Sequence, residues 1–460
     1  MRAGVFALLG TTLTAAAVMT GAHRAGAGEA RLNGAAFSNT SGVQRTFTAT
    51  GSIDTNNGFF QNIGTNGRAC VTCHRPAQAW TITPPELQER FESTGGLDPI
   101  FRTNDGSNCE AAAVATPADR RKAFSLLLAK GLIRIDLPVP EGAEFEIVEV
   151  DDPYRCATSF ASASMYRRPL PTTNLSFLSA VMWDGRETIP GGAIKDGLTS
   201  QVLHAVTGHA QGAPLPPAQL RAIVDFELGL FTAQTQDRAA GMLGARGGPR
   251  LLAMQPFCIG INDPLKILPA LPGACLSSSS GLDPVAFTLF GPWENDPLPQ
   301  RQAIARGEAL FNTRRFVIDN VPGLNGGPAD PVRGAIQTGT CTICHNTPNV
   351  GNHSIAMPLN IGIADASRRT PDLPLYTLRN RATGELVETT DPGRAMVTGT
   401  WKDVGRFKGP MLRALAARAP YFHNGSAAGL AEVIDFYDKR FQIRLTEAEK
   451  ADLLAFLQAL

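Results

Sequence analysis

Cys70-Val71-Thr72-Cys73-His74 and Cys341-Thr342-Ile343-Cys344-His345 are two copies of one pattern, Cys-x-x-Cys-His, set far apart in the chain. Two thiols three residues apart lie on one face of a helical turn. They can bond the two vinyl groups of a haem, and the adjacent His then reaches the iron as axial ligand. Zinc sites and thioredoxin-like redox sites use Cys-x-x-Cys without needing a His directly after it. The chain is therefore expected to hold two covalently bound c-type haems. Cys70, Cys73, Cys341 and Cys344 would be the attachment points, with His74 and His345 as iron ligands.

Each attachment site needs its own surrounding helices, so two lobes are expected. The predicted fold is mainly α: two c-type cytochrome lobes with haem-binding helices, an inserted β-hairpin and long Gly/Pro-rich loops. Pro297-Leu298-Pro299 breaks the chain before the second motif and sets a boundary near Asp296, giving lobes over residues 28–296 and 297–460. Residues 301–312 read as a helix with Ala303, Ile304, Leu310 and Phe311 inward. Thr446 and Glu449 form a capping box for a last helix carrying Leu453, Phe456, Leu457 and Leu460. Residues 118–130 also look helical. Residues 132–137 and 144–150 flank a Pro/Gly turn and predict a hairpin, and residues 241–280 look like an irregular insertion.

Arg2, an apolar run from Val5 to Met19 and the small-residue site Ala25-Gly26-Ala27 predict a removable export signal over residues 1–27. Together with the attachment motifs, this places the mature chain in the periplasm with no transmembrane segment. Cys109, Cys156, Cys258 and Cys275 remain after the attachment cysteines, an even number that suits disulfides in an oxidising compartment. The most local of three connectivities joins Cys109 to Cys156 and Cys258 to Cys275. A formal net charge of only +1 gives no electrostatic case for nucleic acid.

The two motifs, the segment Trp183-Asp184-Gly185-Arg186 and the segment Ala419-Pro420-Tyr421-Phe422-His423-Asn424-Gly425 together resemble the bacterial di-haem cytochrome c peroxidase and MauG superfamily. The resemblance implies that the N-terminal haem meets hydrogen peroxide while the C-terminal haem shares or relays electrons, with Trp183 between them. Gln201 matches a Gln over the open face of the first haem. Ten residues on, where the family has a Glu, this chain has Gln211, and His209 is the nearest titratable substitute. Classical members close the first iron with a second His soon after the motif. Here none occurs between His74 and His204, so the first haem is expected to be open.

Fourteen residues after the His of the Pro-Tyr-Phe-His segment the family carries Met in the electron-accepting peroxidases and Tyr in MauG. Here Tyr437 stands there, on one helical face with Leu430, Val433 and Ile434, and Met396 and Met411 are rival ligands. The family's inter-lobe calcium is held by an Asn and by carbonyls near Pro420. Arg167-Arg168-Pro169 occupies the Asn region, which leaves the carbonyls of Arg418 and Pro420 without that ligand. Three functions follow: a peroxide-dependent oxidase supplied by a periplasmic electron donor or protein substrate, a di-haem electron-transfer protein, or an oxygen-activating di-haem oxygenase.

Overall fold

The computed structural model describes residues 31–156, 159–249, 285–327, 330 and 338–460. The expected export signal and the segment holding Cys258 and Cys275 lie outside the described residues. Each Cys-x-x-Cys-His winds into a single 3-10 turn, Cys70–Thr72 and Cys341–Ile343. In the first, the amides of Cys73 and His74 both donate to the Cys70 carbonyl at 3.1 and 3.0 Å. Those of Cys344 and His345 donate to Cys341 at 3.3 and 3.1 Å.

Among the described residues there are nine α-helices and eleven strands, so the expected mainly α chain is a mixture. The largest sheet joins Ala35–Ser38, Gly42–Thr48, Leu230–Asp237 and Gly241–Met242, all antiparallel. Its second strand, Gly-Val-Gln-Arg-Thr-Phe-Thr, alternates buried and half-buried positions at period two.

The hairpin expectation is overturned in its pairing. Both segments are strands, Ile133–Pro138 and Phe145–Asp151, but they do not pair with each other. Ile133–Pro138 pairs with Ser162–Arg167, and Phe145–Asp151 with Leu375–Asn380 from the far half of the chain. Alternation identifies a strand and the face it buries. It carries no information about the partner, and here Tyr376, Leu378 and Met165 complete the apolar layer that a bare hairpin would expose.

Residues 118–130 form two helices, Pro117–Ala123 and Ser125–Lys130, separated at Phe124, which turns inward. The capping box expected at the end of the chain is present. Thr446 Oγ1 accepts from the Glu449 amide while Glu449 accepts from the Thr446 amide, opening the helix Glu447–Gln458. That helix packs on Pro299–Thr313. Gly307 lets the two backbones meet, since a Cβ there would lie 2.0 Å from the Asp452 carbonyl. Helices Ile194–Gly208 and Pro217–Leu228 pack together near the first motif, with Leu198, Val202, Val206, Ile223 and Val224 in one core. Cys109 and Cys156 form a disulfide. Among the described residues, no helix is long and apolar enough to cross a membrane.

Candidate functional site

Each motif faces its own largely apolar cavity, of about 170 Å³ at the first and 190 Å³ at the second. Cys70, Cys73 and His74 line the first, and Cys341, Cys344 and His345 the second. His74 Nδ1 is bonded to the Trp80 carbonyl at 3.0 Å, and His345 Nδ1 to the Gly351 carbonyl at 2.6 Å. A carbonyl accepts only, so each Nδ1 bears the proton and each Nε2 keeps its lone pair for a metal. Burial pulls the His74 ring down to about 4 and lowers His345 as well, which holds both imidazoles neutral. Paired thiols, a neutral oriented imidazole and an apolar cleft at each motif fit a covalently held c-type haem. Arg186 at the first cavity supplies a cation suited to a haem propionate, and the Lys408 amine lines both cavities.

Trp183 lines both cavities. Its indole N–H donates to the Arg168 carbonyl at 2.8 Å, and its own carbonyl accepts from the Lys408 amide at 2.8 Å. The following residue anchors it. Asp184 is fully buried between Arg167, at 2.5 Å, and Arg186, at 3.0 Å, and Arg167 also holds Asp391 at 2.7 Å. Desolvation would raise the Asp184 carboxyl, but the two guanidiniums bring it to about 2. His423 stands beside this network, edge-on to Trp183 at 6.2 Å and stacked on Phe407 at 4.1 Å.

Gln201 and His209 both line the first cavity from the helix Ile194–Gly208 and its C-cap. His209 is at the mouth, its side chain 40% exposed, with Nδ1 2.5 Å from Asp105. Asp105 is buried and bonded to Arg68 at 2.6 Å. Burial works to raise its carboxyl, yet the His209 hydrogen bond and the Arg68 charge hold it below its usual range. Gln211 is exposed at φ 53° and does not line the cavity, whereas His204 points out toward Glu187 at 2.8 Å.

Tyr437 lines the second cavity opposite His345, with ring centroids 6.3 Å apart. Its ring is braced by Phe436 and Phe441, and burial raises its phenol above the ordinary range. Met396 packs with Phe145 and Tyr376, and Met411 with Val350 and Leu175. Neither lines this cavity. His353, which the sequence reading passed over, does.

Three further residues escaped the sequence reading. Asp105 backs His209 from a loop. Lys408 is buried where the cavities approach each other, its ammonium pulled down to about 7 by burial and by Arg418. Glu227 lines the first cavity from Pro217–Leu228. Burial pushes its carboxyl up to about 8, and its Oε2 has no hydrogen-bond partner.

No family model matches the chain. Cytochrome-c peroxidase IdrP1 of Pseudomonas sp. (strain SCT) is 33% identical over 140 residues, which cover 26% of this chain and 36% of that protein. IdrP1 of Denitromonas iodatirespirans matches equally, and IdrP2 of the same organism is 31% identical over 132 residues, with the same coverage. This chain thus matches 36% of the length of these curated relatives. Over that stretch the chain is similar to curated cytochrome-c peroxidases. Among solved structures, a MauG-like protein associated with microbial copper homeostasis aligns over 88% of this chain and 86% of its own. Identity is 17% and the TM-score 0.39. A hydrazine synthase of Kuenenia stuttgartiensis aligns over 82% and 93%, at 15% identity and a TM-score of 0.33.

Proposed function

We propose that this chain is an exported, periplasmic di-haem c-type cytochrome, built as lobes 28–296 and 297–460, that acts as a peroxide-dependent oxidase. Its electrons would come from a periplasmic donor or a protein substrate. The observation that carries the reading is that Trp183 lines both motif cavities while only the second has a tyrosine opposite its His. When bound, the haems supply the redox chemistry, one iron meeting hydrogen peroxide and the other storing or relaying an oxidising equivalent.

The remaining work falls to the chain. The Trp80 and Gly351 carbonyls orient His74 and His345, whose Nε2 atoms would hold the two irons. Tyr437 would offer phenol oxygen to the second iron, a ligand that favours higher oxidation states where a thioether favours the reduced one. Trp183 places a rigid indole between the cavities as a path for electrons. Gln201 bounds the side where peroxide would bind. His209, its Nδ1–H held by ionised Asp105, presents Nε2 to take a proton from the near peroxide oxygen and return it to the far one.

Resting-state EPR of the ferric protein tests this. One high-spin and one low-spin signal are expected, followed by spectral change at both haems on adding stoichiometric peroxide without oxygen. Two low-spin signals would turn the reading to an electron carrier. The exposure of Gln211, which leaves the family's acid position outside the cavity, is the one observation favouring an oxygen-activating enzyme. Silence toward peroxide with rapid consumption of oxygen would select that reading.

A further inference from the structure

Arg168 is a buried cation without a carboxylate. It is 5% exposed, and among the described residues no Asp or Glu is paired with it. Its guanidinium is instead held by three main-chain carbonyls drawn from three distant parts of the chain. Nη1 donates to Lys130 at 2.5 Å, and Nη2 donates to Ile82 at 2.8 Å and Arg418 at 3.2 Å. Burial, with the nearby Arg418 charge, pulls it down to about 9. Gly131 makes room for the group, since a Cβ there would stand 2.7 Å from Arg168 Nη1. Converging carbonyls are what a hard cation such as calcium binds. One of them, Arg418, is a carbonyl that the superfamily resemblance would assign to the inter-lobe ion, and here a guanidinium already donates to it. The residues do not fit a metal at this seat.

We infer that the Arg168 guanidinium is a built-in replacement for the inter-lobe calcium, so that this chain holds the region between its two cavities together without a metal ion. The main chain of the same residue gives the replacement its purpose. The Arg168 carbonyl accepts the Trp183 indole N–H at 2.8 Å, and the Arg168 amide donates to the His423 carbonyl at 2.6 Å. A side chain locked in the carbonyl cage therefore fixes both aromatic groups at the junction. Arg168 acts as a positioning residue. Without the guanidinium, three carbonyl dipoles would face one another unpaired in the interior.

Calorimetry on the full-length holoprotein tests this without any measure of turnover, so the outcome is independent of whether peroxide is the oxidant. Wild type should give no saturable heat with calcium chloride, and its Tm and EPR spectrum should be the same in EGTA as in added calcium. One-to-one calcium binding whose removal lowers Tm would overturn the inference. Arg168→Asn leaves the seat open and supplies an oxygen ligand. In EGTA it should lose several degrees of Tm and show a changed EPR line at the haems flanking Trp183. Added calcium should recover part of both. Arg168→Lys, which keeps a cation but not the planar fork, should fall between them without calcium. Should the Asn variant not fold, the wild-type titration and the Lys variant still decide. An Asn variant matching wild type in EGTA would also overturn it.

Discussion

Tyr437 separates packing from chemistry at a single atom. Its ring is held between Phe436 and Phe441, and the residue lines the cavity that His345 also lines. Tyr437→Phe should therefore keep the circular dichroism and Tm of wild type while the second haem changes spin state by EPR. An unaltered spectrum would remove Tyr437 from the iron. At the first cavity, His209→Ala should slow the reaction with peroxide by about 10²- to 10⁴-fold, the usual worth of general acid-base assistance. Stopped-flow rates at matched haem content measure this. Glu227 makes a prediction of a different kind. Its carboxyl titrates near 4.5 when solvated and near 8 in the fold. Between those values the folded chain keeps a proton that the unfolded chain has released. The stabilisation is full below 4.5 and is lost as pH rises through 8, by about 1.4 kcal/mol per pH unit. Glu227→Gln should remove that slope, so denaturant titrations should show the variant gaining on wild type as pH rises. Equal pH profiles would mean that Glu227 is solvated. The clustering of each Cys-x-x-Cys-His motif at a cavity was legible because five adjacent positions carry the whole signal, and the inward place of Tyr437 because its motif offset coincides with an inward helical face. Glu227 and Asp105 reach the cavity from separate segments, so no local spacing announces them. The one clue was a carboxylate on the inward face of Ile223 and Val224.

At the scale of elements, local rules held and partner choice did not. Capping at Thr446 is a contact between neighbours in the chain and could be read directly. The strands Ile133–Pro138 and Phe145–Asp151 were legible as strands, yet each found its partner elsewhere. Pairing depends on which apolar face remains uncovered once the whole chain has folded. Phe145–Asp151 shows the cost of that uncertainty most clearly. By pairing with Leu375–Asn380 it joins the two halves through backbone hydrogen bonds that a hairpin reading would have left inside one lobe. The contact between Pro299–Thr313 and Glu447–Gln458 rests on close approach at Gly307. Gly307→Ala would raise helix propensity slightly but drive a methyl into the Asp452 carbonyl and the Phe456 side chain. The net effect should be a loss of about 1–3 kcal/mol, typical of overpacking. Chemical denaturation measures it, and a variant as stable as wild type would show that the two helices can separate freely.

The molecule as a whole is organised around the junction where its two cavities meet. Trp183, Lys408, Arg167, Arg168 and His423 come from segments on both sides of the expected boundary near Asp296. Buried charge pairs and carbonyl contacts hold them there, where a plain apolar interface would permit sliding. Such an arrangement costs desolvation at every charged group, and it is suited to fixing one geometry. If that geometry exists to couple two haems, the coupling must run through the group that both cavities share. Trp183→Phe keeps an aromatic ring of similar placement but loses the indole N–H to the Arg168 carbonyl and the wider π system. The fold, the haem content and the resting EPR of each haem should persist. After stoichiometric peroxide, however, only the first haem should respond promptly, with the second lagging by at least an order of magnitude in rapid-mixing spectra. If both haems of the Phe variant respond together at the wild-type rate, electrons pass by another route. His423 stacked on Phe407 would then be the side-chain path left to test.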